Sequence, residues 1–167
     1  VALNGAGTGN YMQTPPIFPG CSERNMDEYD VELAKEYLEA SGLDPATISF
    51  SCICSDDTKR RAGEVIQAAF NEIGITMEVE SMDLATYLSA AAEGTFESTI
   101  GNCTSANTLG FIEYKFTSWQ IGGSNFTRTN DAHLDELWTT ASQTLDETER
   151  LTILEEAAAY LNEICPH

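Results

Sequence analysis

A cluster of neutral hydrogen-bonding side chains follows the last of three predicted strands. Asn102, Thr104, Ser105 and Asn107 stand directly after that strand, and Trp119 lies further along the chain. Amides and hydroxyls are suited to binding other amides and hydroxyls, and an indole ring can provide an apolar surface for a ligand. In open parallel sheets, ligands bind beyond the carboxyl ends of the strands, where these residues are expected to lie. The pattern alone fits a ligand-binding loop and an ordinary polar loop equally well.

Residue combinations typical of enzymes are absent from the sequence. It contains no Gly-x-Ser-x-Gly string, no phosphate-binding loop ending in Gly-Lys-Ser/Thr and no His-Glu-x-x-His string. Cys103 and His133 are the one pair that could combine a thiol nucleophile with a base, but no flanking residue favours an activated thiolate. We therefore predict no catalytic residue and no enzymatic activity.

The five cysteines do not form a pattern typical of a metal site or a disulfide framework. Their number is odd, no Cys-x-x-Cys pair occurs, and the sequence has only two histidines. Cys52 and Cys54 alternate with other residues on the face of a predicted strand that also carries Phe50, so we predict that both thiols are buried. We predict no metal and no cofactor.

The candidate binding residues depend on an alternation of strands and helices between residues 47 and 102. Apolar residues alternate over 48–54, 75–79 and 96–100, which is the period-two pattern of strands. Side-chain oxygens within 56–58 and at Asp83 can cap helices between these strands. Two successive strand–helix–strand units predict a parallel sheet with right-handed crossovers, and therefore an α/β fold.

Amphipathic helices are predicted from the spacing of the apolar residues. The helix after the first strand carries a stripe that we predict to be buried, formed by Ala62, Val65, Ile66, Ala69, Phe70 and Ile73. The next helix carries Leu84, Tyr87, Leu88 and Ala91. Further helices are predicted after Asp30, within 109–116, after Asn130 or Asp131, and after Asp146.

Composition restricts the classes of partner. A formal net charge of -19 over 167 residues disfavours binding to nucleic acid and to anionic membranes. The sequence contains no apolar run long enough to span a bilayer and no visible signal peptide. Because it begins at Val1 rather than Met, we expect it to be an excised piece of something longer or a processed form.

Residues 1–28 are predicted to form an irregular lead-in strap that is rich in glycine and proline. The glycines within 5–9 superficially resemble a dinucleotide-binding turn, whose mechanism needs a helix directly after the glycines. The prolines within 15–19 exclude a helix interior at that place. Residues 29–167 are predicted to form a single α/β domain.

Several strings, in order, resemble the bacterial extracellular solute-binding proteins of family 5, which serve ABC importers of dipeptides and oligopeptides. They lie at residues 16–20, 29–42, 68–79, 84–88, 94–97, 125 and 135–137. An example is the string Ala-Ala-Phe-Asn-Glu-Ile-Gly-Ile at 68–75, which is similar to the family's Leu-Gln-Ala-Gln-Leu-Ala-Glu-Ile-Gly-Ile. The resemblance covers nearly the whole chain.

The resemblance implies a lobe of the type II periplasmic-binding-protein fold, and thus a fragment of a larger two-lobe protein. It implies a peptide or related small solute as ligand, ABC permease subunits and the remaining lobe of the same polypeptide as partners, and an extracytoplasmic location as a periplasmic protein or cell-surface lipoprotein. An interaction or sensory module that keeps the fold without binding peptides is the alternative.

The loop at 101–109 departs from the family's pattern. The family often has Gly-Trp-Gly-Ala-Asp-Tyr-Pro-Asp-Pro here, and its acidic residue anchors the amino terminus of a peptide. This chain has neither the tryptophan nor the aspartate, so the loop lacks a charge partner for an ammonium group. A neutral or hydroxyl-rich ligand, a capped or modified peptide, and a loss of ligand binding all stay open.

Overall fold

The computed structural model describes residues 14, 15, 17, 18 and 29–164. Most of the predicted lead-in strap at 1–28, with Cys21, and the terminal Cys165 and His167 lie outside the described residues. The nine helices and strands of the described part are α1 Val31–Ser41, β1 Ser49–Cys54, α2 Asp57–Glu72, β2 Thr76–Ser81, α3 Leu84–Glu93, β3 Ser98–Thr99, α4 Thr108–Phe116, α5 Ala132–Gln143 and α6 Glu147–Ile164. Short 3-10 turns occur at Pro45–Thr47 and Ser118–Gln120.

The helices begin where the sequence predicts capping side chains. A carboxylate oxygen accepts a backbone N–H in the first turn of five helices, from Asp30, Asp56, Asp83, Asp131 and Asp146. Such a bond satisfies a donor that has no partner inside the helix, and it typically contributes about 1 kcal/mol. The predicted cap positions are therefore confirmed.

The three strands form a parallel sheet in the order β2–β1–β3, as predicted. All six residues of β1 are in register with β2, but β3 pairs only at two positions, although the alternation predicts a strand over 96–100. Hydrogen bonds that involve side chains also connect β1 with the β3 segment. The N–H of Ser51 donates to the Glu97 carboxylate over 2.7 Å, and the Ser98 hydroxyl donates to the Ser51 carbonyl over 2.9 Å.

The described chain divides into two compact units. Unit 1 comprises residues 29–91 and 95–102, and unit 2 comprises 14, 15, 17, 18, 92–94 and 103–164. The core of unit 1 consists of Cys52, Ile53, Cys54, Ile75, Met77, Tyr87 and Ala91. The core of unit 2 consists of Phe111, Ile112, Phe116, Leu134, Leu137, Ala141, Leu154, Ala157 and Leu161. The predicted single-domain organisation of 29–167 stays a prediction.

Helix α2 contacts the sheet through a different face from the predicted one. The one fully buried residue of α2 is Gly63, where an added Cβ would lie 3.1 Å from a methyl carbon of Val79 on β2. Val65 and Ile66 are 44% and 41% exposed, so their predicted burial is wrong. Because α2 approaches the sheet most closely at Gly63, the apolar stripe of the helix is rotated away from the centre of the contact between α2 and the sheet.

The rest of the predicted α2 stripe is only partly buried. Phe70 meets the ring of Phe50 edge to face, with 5.2 Å between ring centroids, but neither ring is fully buried. On α3, Tyr87 and Ala91 are buried as the stripe predicts, whereas Leu84 and Leu88 are 59% and 47% exposed. No helix within the described residues is both long and apolar enough to cross a membrane.

Candidate functional site

A crevice of about 790 Å³ lies at the carboxyl edge of the sheet in unit 1. The end of β3 leads into it through Ile100, Gly101 and Asn102, and the first turn of α2 forms the other wall. This follows from the topology, because parallel strands end at the same edge of a sheet and the helix after β1 starts there. Asn102 is exposed and lines this crevice, as predicted from the strand order.

A lysine in the crevice has its charge already matched. The Lys59 ammonium donates to Asp56 Oδ2 over 2.6 Å and to the Ser55 hydroxyl over 3.0 Å. It also lies 5.6 Å from the centre of the Tyr87 ring, a cation–π contact. The Lys59 side chain is only 15% exposed. In return, the hydrogen bond from Lys59 lowers the pKa of the Asp56 carboxyl.

A second carboxylate in the crevice is largely uncompensated. Asp57 lines the same wall, its side chain is 83% exposed, and its only ion pair within the described residues is a 3.5 Å contact with Arg60 Nε. An exposed ion pair of that length contributes little. With Lys59 neutralised by Asp56, the crevice therefore offers a negative charge from Asp57 beside the neutral amide of Asn102.

The other predicted binding residues belong to unit 2. Asn107 is the N-cap of α4, and its Oδ1 accepts the N–H of Gly110 over 2.8 Å. The Ser105 hydroxyl donates to the Asn107 carbonyl over 3.0 Å, and Thr104 is exposed. Asn107 and Ser105 thus shape the start of α4, which leaves the Asn107 amide N–H₂ as the group available to a ligand.

Trp119 presents a rigid aromatic surface in unit 2. Its side chain is 48% exposed, and its ring meets the ring of Trp138 edge to face with 5.1 Å between centroids. The Trp138 Nε1–H donates to the carbonyl of Leu109 over 3.0 Å. Since Leu109 lies in the first turn of α4, which Asn107 caps, the two tryptophans are tied to the element that carries the predicted loop.

Hydrogen bonds fix the segment around Trp119. Both the N–H and the hydroxyl of Ser118 donate to the carboxylate of Asp135 on α5. Asn125 is 1% exposed, and its amide donates to the carbonyls of Thr117 and Thr129. Its Oδ1 accepts the N–H of Thr129 and the hydroxyl of Thr127. Every hydrogen-bonding position of this buried amide is used, so the segment is held in one conformation.

The three cysteines that the structure describes, Cys52, Cys54 and Cys103, show no sign of an activated thiol. Cys52 and Cys54 are buried, as predicted, and burial raises the pKa of the Cys52 thiol. Cys103 is half-buried against the core of unit 2, and burial raises its pKa as well. His133 is exposed and packs edge to face on Tyr160. No group of three potential metal ligands occurs among the residues that the structure describes.

The α2 wall of the crevice is not among the predicted binding residues. The string Asp-Asp-Thr at 56–58 predicts a helix start, which by itself does not indicate a binding site. The signal for its second role was the position of that helix start directly after a strand, because loops at this edge line the crevice in open α/β sheets. Asp57 and Lys59 therefore join Asn102 as residues of the candidate site.

A family model and a curated protein match this chain. The model of bacterial extracellular solute-binding proteins, family 5, middle region, matches residues 1–123. Heme-binding protein A of Haemophilus influenzae is 26% identical over 170 residues, a stretch that covers 97% of this chain and 31% of that protein. The chain thus spans about a third of the length of the curated relative that it matches.

Solved structures share the fold. HbpA2 from Haemophilus parasuis has a TM-score of 0.88 at 23% identity, with 98% of this chain and 34% of that one covered. DppA from Helicobacter pylori, a periplasmic binding protein in complex with the peptide STSA, has a TM-score of 0.82 at 21% identity, with coverages of 94% and 32%. OppA from Haemophilus influenzae, in complex with RPPGFSPFR, has a TM-score of 0.83 at 16% identity, with coverages of 97% and 34%. These likenesses confirm the predicted α/β fold with a parallel sheet and flanking helices.

Proposed function

The chain belongs to family 5 of the bacterial extracellular solute-binding proteins, and from this membership we propose that it forms a solute-contacting part of an ABC importer's binding protein. The family consists of binding proteins of ABC importers for peptides and related ligands. Its members are binding proteins rather than enzymes. The alternative, an interaction or sensory module, is not favoured by these comparisons.

The observation that carries the proposal is the crevice beside Asn102. Ligands of open α/β sheets bind beyond the carboxyl ends of the strands, and this is where Asn102 and the first turn of α2 border an open crevice of about 790 Å³. The volume falls within the range of small-molecule sites. Asn102, Thr104, Ser105, Asn107 and Trp119 are the proposed ligand-binding residues.

We propose a peptide, or a related small solute that carries an ammonium group, as the ligand. The loop after β3 has no carboxylate, but Asp57 on α2 supplies one to the same crevice. A carboxylate that accepts an N⁺–H bond makes one of the stronger polar contacts. Asp57 would thus meet the ammonium group and Asn102 the neighbouring amide groups, without catalysis.

The proposed partners follow from family membership. They are the ABC permease subunits and the remaining lobe of the same polypeptide, and the proposed location is extracytoplasmic, as a periplasmic protein or a cell-surface lipoprotein. A net charge of -19 supports a solute as the partner rather than nucleic acid.

The test uses the full-length protein. It is purified without denaturation, and native mass spectrometry identifies the small molecule that is released on unfolding. Titration calorimetry then compares the wild type with Asn102→Ala and Asp57→Asn, and Asn71→Ala serves as the control because Asn71 is exposed at the other end of α2. We expect each crevice variant to lose about tenfold or more in affinity.

One result would contradict the proposed role, and another would contradict only the proposed site. If no small molecule is released and no peptide in a panel shifts the melting temperature, the solute-binding role is wrong. If a ligand binds with equal affinity to the wild type and to both crevice variants, the role holds but the site lies elsewhere.

A further inference from the structure

We propose that Trp119 is a stacking surface for an aromatic ring of the ligand, and that Trp138 is the positioning residue that holds it in place. This inference rests on the proposed solute-binding function and deepens it by naming a ligand class, namely peptides with aromatic side chains.

The first observation is the combination of exposure and rigidity at Trp119. Exposed tryptophans without support would sample several rotamers, and ordering one costs conformational entropy on binding. Here the Ser118–Gln120 turn is fixed by two hydrogen bonds from Ser118 to Asp135. The N–H of Asn125 also donates to the carbonyl of Gln120 over 3.1 Å. The ring is therefore ordered before any ligand arrives, which reduces the entropic cost of binding.

The second observation is the support from Trp138. Its ring stands at 68° to the ring of Trp119, and its own N–H is held by the Leu109 carbonyl. A ring fixed at one end by a hydrogen bond and at the other by an edge-to-face contact restricts the orientation of its neighbour. Since Leu109 lies in the first turn after the Asn107 cap, Trp138 links the aromatic surface to the start of α4.

The chemistry of the surface favours an aromatic ring over an aliphatic or anionic group. The neighbours of Trp119 in sequence, Ser118 and Gln120, are neutral, and the Ser118 hydroxyl donates to the carboxylate of Asp135, which would repel an anion. Aromatic rings attract one another in offset or edge-to-face arrangements beyond the effect of area burial. Tryptophan is also enriched among the residues that dominate binding energies. A planar side chain of the ligand therefore gains more here than an aliphatic or anionic one.

The test measures selectivity for aromatic rings in the full-length protein. The probe is the nonapeptide RPPGFSPFR, which contains two phenylalanines, and the matched control is the same peptide with both replaced by alanine. We expect the wild type to bind the first peptide about tenfold more tightly than the second. Trp119→Ala should remove the difference, and Trp119→Phe should retain part of it. The tryptophan emission of the wild type, but not of Trp119→Phe, should change on titration with the first peptide.

The role of Trp138 is tested by Trp138→Phe, which keeps a ring but removes the N–H to Leu109. We expect this variant to lose part of the selectivity for the aromatic peptide while its melting temperature stays within a few degrees of the wild type. In the Trp119→Ala background the same change should have no further effect on affinity. A purely structural role would instead lower the melting temperature and leave the selectivity intact.

Three outcomes overturn the inference. Equal affinity of the wild type for the two peptides excludes a stacking surface, as does a preference for the aromatic peptide that survives in Trp119→Ala. A loss of melting temperature in Trp119→Ala without a change in selectivity would show that Trp119 is covered by another part of the protein. If neither peptide binds, and no member of the wider panel binds, the solute-binding function fails together with this inference, whereas binding without aromatic selectivity refutes this inference alone.

Discussion

Replacing Asn125 with alanine should destabilise the protein more than any other polar substitution in the segment 117–129. The amide is 1% exposed and takes part in four hydrogen bonds, two as donor and two as acceptor. Alanine leaves the carbonyl and the N–H of Thr129 without the amide, whereas the Thr117 carbonyl still accepts the N–H of Gln120 over 3.1 Å. Each buried group that loses its partner costs about 1 kcal/mol or more, so we expect a loss of about 2–3 kcal/mol.

Asn125→Asp tests the two hydrogen bonds that Asn125 donates separately from the two that it accepts. The new carboxylate still accepts from Thr127 and Thr129, but it faces two carbonyl oxygens that the amide donates to at 3.0 and 2.9 Å. Repulsion and burial raise the pKa of the introduced carboxyl above its unfolded value of about 3.9. A raised carboxyl pKa costs stability once the pH exceeds the unfolded value. The deficit relative to the wild type should therefore shrink as the pH falls toward 4.

Urea unfolding followed by circular dichroism measures both variants. Asn130→Ala is the control, because Asn130 is exposed and close in sequence, and it should change the free energy of unfolding by no more than about 0.5 kcal/mol. A loss below about 1 kcal/mol for Asn125→Ala would refute the reasoning, since it would mean that water replaces the amide without cost. A pH-independent deficit for Asn125→Asp would refute the argument about the carbonyls.

Two further predictions concern helix ends. Gly42 and Gly94 both have φ of +72°, but an added Cβ meets nothing within 4 Å at Gly42, whereas at Gly94 it would lie 2.8 Å from Arg128 Cδ. The Arg128 side chain is exposed and can move aside, but it would then lose its hydrogen bond to the Ala92 carbonyl. Gly94→Ala should therefore cost about 0.5–1 kcal/mol more than Gly42→Ala, and equal losses in calorimetry would contradict this. The N–H of Leu134 and then the Tyr160 hydroxyl lower the pKa of Asp131, so its stabilisation is present above about pH 3.9 and is lost as the pH falls through the folded value. Tyr160→Phe removes one of these bonds and should reduce the acid-induced loss of stability between pH 5 and 2, and parallel curves of unfolding free energy against pH would count against it.

The elements of unit 1 could be predicted because each is marked by residues that act locally. Asp56 and Asp83 cap helices through bonds within their own first turns, and the alternation over 48–54 and 75–79 matches β1 and β2 closely. The α2 face could not be predicted, because apolar periodicity identifies side chains and the contact centres on Gly63, which has none.

Of the five predicted binding residues, Asn102 lines the crevice, and the binding role of all five stays a prediction. Strand order alone places Asn102 at the carboxyl edge, where the crevice lies. The same residue types serve binding and capping, so the sequence could not show that Asn107 caps α4. The roles of Asp57 and Lys59 depend on which charged side chains pair with one another. This pairing is seen in the distances within the folded structure and cannot be predicted from the spacing of the residues in the sequence.

The short β3 strand has a consequence for the order of folding and opening. Contacts between β1 and β2 join residues 27 apart, such as Cys54 and Ser81, and contacts between β1 and β3 join residues 46 apart, such as Ile53 and Thr99. Closing the longer loop costs only about 0.5 kcal/mol more in entropy. However, six residue pairs stabilise the contact between β1 and β2, and only two stabilise the contact between β1 and β3. The unit of β1, α2 and β2 should thus form first and β3 should join last. In the native protein β3 should detach most readily, so amide hydrogens beside Asn102 should exchange fastest in the sheet, and a ligand held there would slow that exchange.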